Sequence, residues 1–162
     1  MVREDPGNKV LDEPGRQGPF SRLTLIGQVH ETYILAWSEE GLVLLDQHAA
    51  HERVLYEKFL QRRGRDQAVS QMLILPVLLE LPPLPEEAAT ELAGGLQSLG
   101  VEIEPAGGRS FWLKATPPEL NPEQAARTVL ETAEALANGP AEVKHEELFR
   151  AIISLMACHG AI

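Results

Sequence analysis

Gly41-Leu42-Val43-Leu44-Leu45-Asp46-Gln47-His48-Ala49-Ala50-His51-Glu52-Arg53-Val54-Leu55-Tyr56-Glu57 changes its period in the middle. Gly41 to Leu45 is a continuous apolar run, which reads as a buried strand. After Asp46 the spacing turns helical, with Val54, Leu55, Tyr56, Phe59 and Leu60 as apolar contacts, and the helix is expected to reach about Arg62. A strand end opening into a helix is where α/β folds tend to keep their chemistry. Asp46 stands at the mouth of that helix, placed to cap its free N–H groups. His48 and Glu52 are four residues apart, share one helical face, and together can hold one metal ion. Glu57 lies roughly 180° around the helix from His48 and roughly 140° from Glu52. That favours an indirect or a solvated role for Glu57 over ligation of the same ion.

Outward from this stretch, Arg22 to Val29 and Thr32 to Trp37 read as strands, with a turn at Ser38-Glu39-Glu40-Gly41 before the third. Residues 1–19 carry Gly, Pro and charge without periodicity and read as linker. Arg62 to Gln67 suits a loop. Gln71 to Leu81 is apolar until Pro82-Pro83 and Pro85 break it. Glu86 to Leu99 reads as a helix that Gly100 ends. Val101 to Glu104 and Ser110 to Ala115 read as a hairpin around Ala106-Gly107-Gly108. Asn121-Pro122 supplies a cap and a first-turn proline for a helix through Ala137, and Lys144 to Cys158 forms the last helix.

The chain has 162 residues, 14 basic and 24 acidic, for a net charge of −10. That length suits one domain or two small lobes, with enough chain to bury a core. The acidic balance opposes unaided grip on a phosphate backbone, so duplex DNA is expected to bind weakly to the chain alone. Metal ions would supply positive charge locally. The single cysteine, Cys158, rules out an internal disulfide. No segment has the pattern of a signal peptide or the roughly 20 apolar residues of a membrane span, so a cytoplasmic location without membrane contact is expected.

Other chemistries fall away. His51-Glu52 would need a histidine at position 55 to make a zinc-protease helix, and Leu55 stands there. Cys158 and His159, adjacent on a helix, point about 100° apart and make no nucleophile pair. Among Ile152, Ile153, Leu155 and Met156, Cys158 reads as a core residue or as a metal ligand. His159 reads as a cation at the negative end of the helix dipole.

Asp46, Gln47, His48, Ala49, Glu52 and Glu57 match every fixed position of the endonuclease motif of the MutL family of DNA mismatch-repair proteins. That motif reads Asp-Gln-His-Ala, two residues, Glu, four residues, Glu. Gly27-Gln28-Val29 resembles the Gly-Gln element before the motif. Ala157-Cys158 resembles the start of the family's Ala-Cys-Arg element, with His159 in the place of Arg. Gln71-Met72-Leu73-Ile74-Leu75-Pro76 resembles the peptide by which such proteins engage the replication sliding clamp, with Gln71, Leu73, Ile74 and Pro76 as its contacts. The resemblance covers roughly Phe20 to Ile162 and corresponds to the C-terminal dimerisation and endonuclease region.

The resemblance implies an α+β fold of two lobes: a mixed-sheet dimerisation lobe with an inserted external α/β lobe. The expected bounds are 20–70 for the first part of the dimerisation lobe, 71–150 for the external lobe and 151–162 for the return. It implies a bacterial, metal-dependent endonuclease that nicks one DNA strand, with Asp46, Glu52 and Glu57 in the catalytic set. Asp46, His48, Glu52 and Cys158 are the implied ligands of manganese or zinc. The implied partners are a second copy, the sliding clamp, duplex DNA and, through the full-length protein, the mismatch-recognition protein MutS. The family has a Cys-Pro-His-Gly-Arg-Pro run, which contributes metal ligands, and a Phe-x-Arg run after the elements matched here, and neither occurs within these 162 residues. Two alternatives stand beside nicking: a dimerisation and clamp-binding module that does not cleave, and a lobe in which His48, Glu52 and Cys158 hold zinc only for folding.

Overall fold

A computed structural model describes residues 22–62, 69–139 and 144–161. The expected linker over residues 1–19, and most of the expected loop after Arg62, lie outside these residues. The chain divides between Asp46 and Gln47 into two compact units.

The first unit is a three-stranded sheet in the order β1-β2-β3, with β1 Thr24–Val29, β2 Tyr33–Ser38 and β3 Gly41–Asp46. Both pairings are antiparallel, where a mixed sheet was expected for this part of the chain. The connections are the reason, since links of two or three residues can join only antiparallel neighbours. The β1–β2 turn places two non-glycine residues at positive φ, His30 at 52° and Glu31 at 55°. Thr32 N–H donates to the Val29 carbonyl at 3.2 Å, closing a turn of the primed type that matches strand twist. Left-handed backbone costs a residue with a Cβ about 1 kcal/mol. Glu31→Gly is therefore expected to stabilise the unit by about 1 kcal/mol, read from urea unfolding.

Register decides which side chains share a face. Leu42 pairs with Trp37, Leu44 with Leu35 and Asp46 with Tyr33. On this face Leu42 is 61% exposed, Leu44 57% and Trp37 55%, with Val29 and Tyr33 also exposed. On the other face Ala36 is buried, Ile34, Val43 and Leu45 are half-buried, and Leu25 at the sheet edge is exposed. The expectation of a fully buried strand over Gly41 to Leu45 thus holds for neither Leu42 nor Leu44. A continuous apolar run fits a strand covered on both sides, and in the single chain one side is open.

The second unit holds α1 Gln47–Leu60, β4 Gln71–Glu80, α2 Glu86–Ser98, β5 Glu102–Gly107, β6 Ser110–Thr116, α3 Pro122–Asn138 and α4 His145–Gly160. Its sheet is antiparallel in the order β4-β6-β5. One core joins Leu55 and Phe59 of α1, Leu92 and Leu96 of α2, Leu113 of β6, Val129 of α3 and Ile152, Ile153 and Met156 of α4. Val54, expected among the helix contacts, is exposed instead, because it sits about 100° from Leu55.

Sequence signals explain the ends of the helices. Gly100, at φ +88°, follows α2, and its N–H donates to the Gln97 carbonyl while that of Val101 donates to Leu96, both at 3.0 Å. This double bond pattern satisfies carbonyls that the helix leaves open, and Val101 seals it with a buried side chain. Asn121 and Gln124 form a reciprocal capping box at 2.9 Å in each direction, with Pro122 in the first turn of α3.

β4 is an edge strand interrupted by an irregularity. Met72 pairs with Ala115 and Val77 with Leu113, so residues 73–76 stand opposite Lys114 alone. Pro76 has no N–H to give a ladder, and an edge or a bulge is where a strand tolerates it. Within the bulge Leu73 packs against the core, while Ile74 is 97% exposed and Leu75 is exposed as well.

Candidate functional site

Asp46 closes β3 as its last residue, exposed, on the same sheet face as Leu42, Leu44 and Trp37. The next residue, Gln47, starts α1. His48 is exposed and Glu52 half-buried on that helix, four residues apart and so on one face. Glu57 sits elsewhere on the helix surface, where Arg53 Nη2 holds its Oε1 at 2.5 Å and the guanidinium lies 5.9 Å from the Tyr56 ring centre. Cys158 is an exposed thiol on α4, the helix that packs against α1.

The donor types suit a divalent cation, since carboxylate and imidazole favour manganese, and thiolate and imidazole favour zinc. The number brought together falls short. His48 and Glu52 offer two ligands, and among the described residues no three His, Cys, Asp or Glu side chains converge as a metal site requires. The pair on its own does not complete a metal centre.

Two interactions far apart in sequence shape the surroundings. Glu119, in the link between β6 and α3, has a side chain only 8% exposed and receives Arg62 Nη2 at 2.6 Å and Lys58 Nζ at 2.7 Å. Lys58 lies in the last turn of α1, and Arg62 in the turn that follows it. Burial by itself pushes the Glu119 carboxyl up, but the Arg62 and Lys58 hydrogen bonds outweigh it and hold the group below its ordinary 4.5. A lowered folded-state value means that this stabilisation is present above about pH 4.5 and is lost as pH falls through the folded value. Acid unfolding should therefore begin at higher pH in Glu119→Gln, compared by circular dichroism across the acid range.

The second interaction is at His159, whose side chain is 9% exposed. Nδ1 lies 3.0 Å from Thr128 Oγ1 and Nε2 lies 3.2 Å from Glu131 Oε2, both on α3. The helix-end placement expected from the sequence holds, but the ring is turned into α3. Gln124, Thr128 and Glu131 recur at helical spacing on α3, and that polar stripe was the available signal. Nothing in the sequence marked Glu119.

The chain is similar to the DNA mismatch repair protein MutL of Koribacter versatilis, 38% identical over 154 residues that cover 95% of this chain and 24% of that protein. To the protein of that name from Acidobacterium capsulatum it is 36% identical, covering 98% of this chain and 24% of the relative. To that from Azorhizobium caulinodans it is 38% identical over 83% of this chain and 22% of the relative. The chain thus spans about a quarter of the length of these curated relatives. A family model described as the MutL C terminal dimerisation domain matches residues 26–162, and with that match over most of its length the chain belongs to the MutL C-terminal dimerisation domain family.

Proposed function

We propose that the chain is the dimerising part of a bacterial DNA mismatch-repair protein, and that it pairs with a second copy through the β1–β3 sheet. The observation that carries this reading is the exposed apolar face of Val29, Tyr33, Trp37, Leu42 and Leu44. Contiguous exposed apolar surface of this kind marks an interaction site in a soluble protein. Membership of the dimerisation-domain family supports a copy of the same chain as the occupant. The relatives' name supports mismatch repair as the process, and MutS as a partner of the full-length protein is what the motif resemblance implies. No helix among the described residues is long and apolar enough to cross a membrane.

The finer reading is metal-dependent nicking of duplex DNA, with manganese or zinc as the ion. His48 and Glu52 on one helical face support it, as does the fully matched motif that also holds Asp46 and Glu57. Asp46 and Cys158 are the further candidate ligands. Nicking of supercoiled plasmid in manganese is the test, with Asp46→Asn beside the parent chain. The parent is expected to nick, and losing a ligand should lower the rate roughly 100-fold, about 3 kcal/mol of barrier. Absence of nicking in both would leave the second reading, a module that dimerises and binds the clamp without cutting.

Engagement of the sliding clamp belongs to the same proposal. Gln71, Ile74 and Pro76 lie exposed on the bulged edge strand, whereas Leu73 packs inward. An extended apolar segment of this kind suits a pocket that reads alternate side chains. Ile74→Ala should abolish capture by the sliding clamp while leaving the unfolding midpoint unchanged. Leu73→Ala should cost about 2 kcal/mol of stability besides. Clamp capture that survives Ile74→Ala would remove this part of the reading.

A further inference from the structure

We infer that His159 is a positioning residue that fixes the last turn of α4 against α3 and thereby sets where the neighbouring Cys158 thiol stands. Three polar atoms of His159 reach α3. Its carbonyl accepts from Gln124 Nε2 at 2.7 Å, Nδ1 meets Thr128 Oγ1 at 3.0 Å and Nε2 meets Glu131 Oε2 at 3.2 Å. Gln124 is itself held by the capping box with Asn121, and Thr128 donates to the Gln124 carbonyl at 3.0 Å. Gln124 and Thr128 therefore form one connected network on the first half of α3, and Glu131 stands one turn further on. With both ring nitrogens engaged and the side chain nine-tenths buried, His159 is committed to this contact and serves no ligand of its own.

The end of a helix otherwise frays, because its last carbonyls lack partners. Gly160, the residue after the pin, sits so tightly that a Cβ there would lie 2.9 Å from Leu120 Cδ2 and 3.0 Å from Leu55 Cδ1. Leu55 belongs to α1, the helix of His48 and Glu52. The pin from α3 and the close approach at Gly160 act on the same turn and fix it relative to α1. Cys158 lies within that turn and remains exposed. The pin matters for function insofar as Cys158 is a ligand, as proposed above, whereas the position of the thiol is set with or without a metal.

Cys158 is the sole cysteine, which allows its position to be measured directly. Spin labels on Cys158 and on a cysteine replacing the exposed Val54 of α1 give a distance distribution by pulsed electron resonance in metal-free buffer. A narrow distribution is expected for the His159-containing chain. His159→Ala and Thr128→Val should each widen it about twofold, as local release of a helix end does. Ile153→Val, which weakens the core under the same helix without touching the pin, should leave the width unchanged. An unchanged width in His159→Ala, or equal widening in Ile153→Val, overturns the inference. Zinc affinity in Cys158→Ala tests the ligand reading separately, and its failure would not alter the distance result.

Discussion

Glu119→Ala is expected to lower the unfolding free energy by about 3 kcal/mol, the lower end of the cost of removing one partner from a buried ion pair. The carboxylate is 8% exposed and accepts from Lys58 of α1 and from Arg62 just beyond that helix, so the variant leaves Arg62, 12% exposed, without this countercharge. Among the described residues Arg62 Nη1 has no hydrogen-bond partner, which leaves the guanidinium little to fall back on. The Coulombic attraction alone is not the origin of the effect, because burying both charges offsets much of it. A paired change separates the two contributions. Glu119→Leu with Arg62→Met removes both charges and should recover most of the loss, since no buried charge is then unpartnered. Urea unfolding of the single and double variants measures this. A loss under about 0.5 kcal/mol, the range of exposed pairs, would mean that the cluster behaves as surface charge.

Leu44→Asp is expected to weaken self-association at least about 1000-fold, equivalent to roughly 4 kcal/mol. Leu44 lies in the middle of β3 on the apolar face, between Leu42 and Asp46 along the strand and opposite Leu35. Burying one leucine in an interface contributes about 2 kcal/mol. Placing a carboxylate there instead costs several more, and in a two-fold interface each copy brings one. The fold of the single chain should tolerate the change, since Leu44 is already 57% exposed. Trp37, on the same face, reports the outcome. In a Trp112→Phe background it is the remaining tryptophan, and acrylamide should quench it far more strongly in Leu44→Asp than in the parent. Equal quenching would mean that the face is open in both.

The elements that were legible in the sequence owe their form to neighbours in the chain. The cap at Asn121 with Pro122 after it, Gly100 at the end of α2 and the change of period at Asp46 are all local, and all hold in the structure. The features that escaped depend on partners distant along the chain or outside it. The run Leu42 to Leu45 shows apolarity but not which side is covered, and Leu42 and Leu44 proved open. The bulge over residues 73–76 arises from pairing with β6, which the apolar run of β4 does not encode. Arg62 and Glu119 are 57 residues apart, and Thr128 and His159 are 31 apart, beyond any periodicity argument. For the candidate site, the one-face pairing of His48 and Glu52 came from spacing alone. Glu57 is paired with Arg53 along the same helix. No rule of spacing could say how many further ligands would converge.

For pairing through the exposed β1–β3 face, the decisive measurement is sedimentation equilibrium of the chain from low to high micromolar concentration. The parent chain is expected to approach twice 17.8 kDa at the upper end, and Leu44→Asp to stay at 17.8 kDa throughout. A parent chain that keeps the mass of one copy at every concentration would contradict pairing through this face.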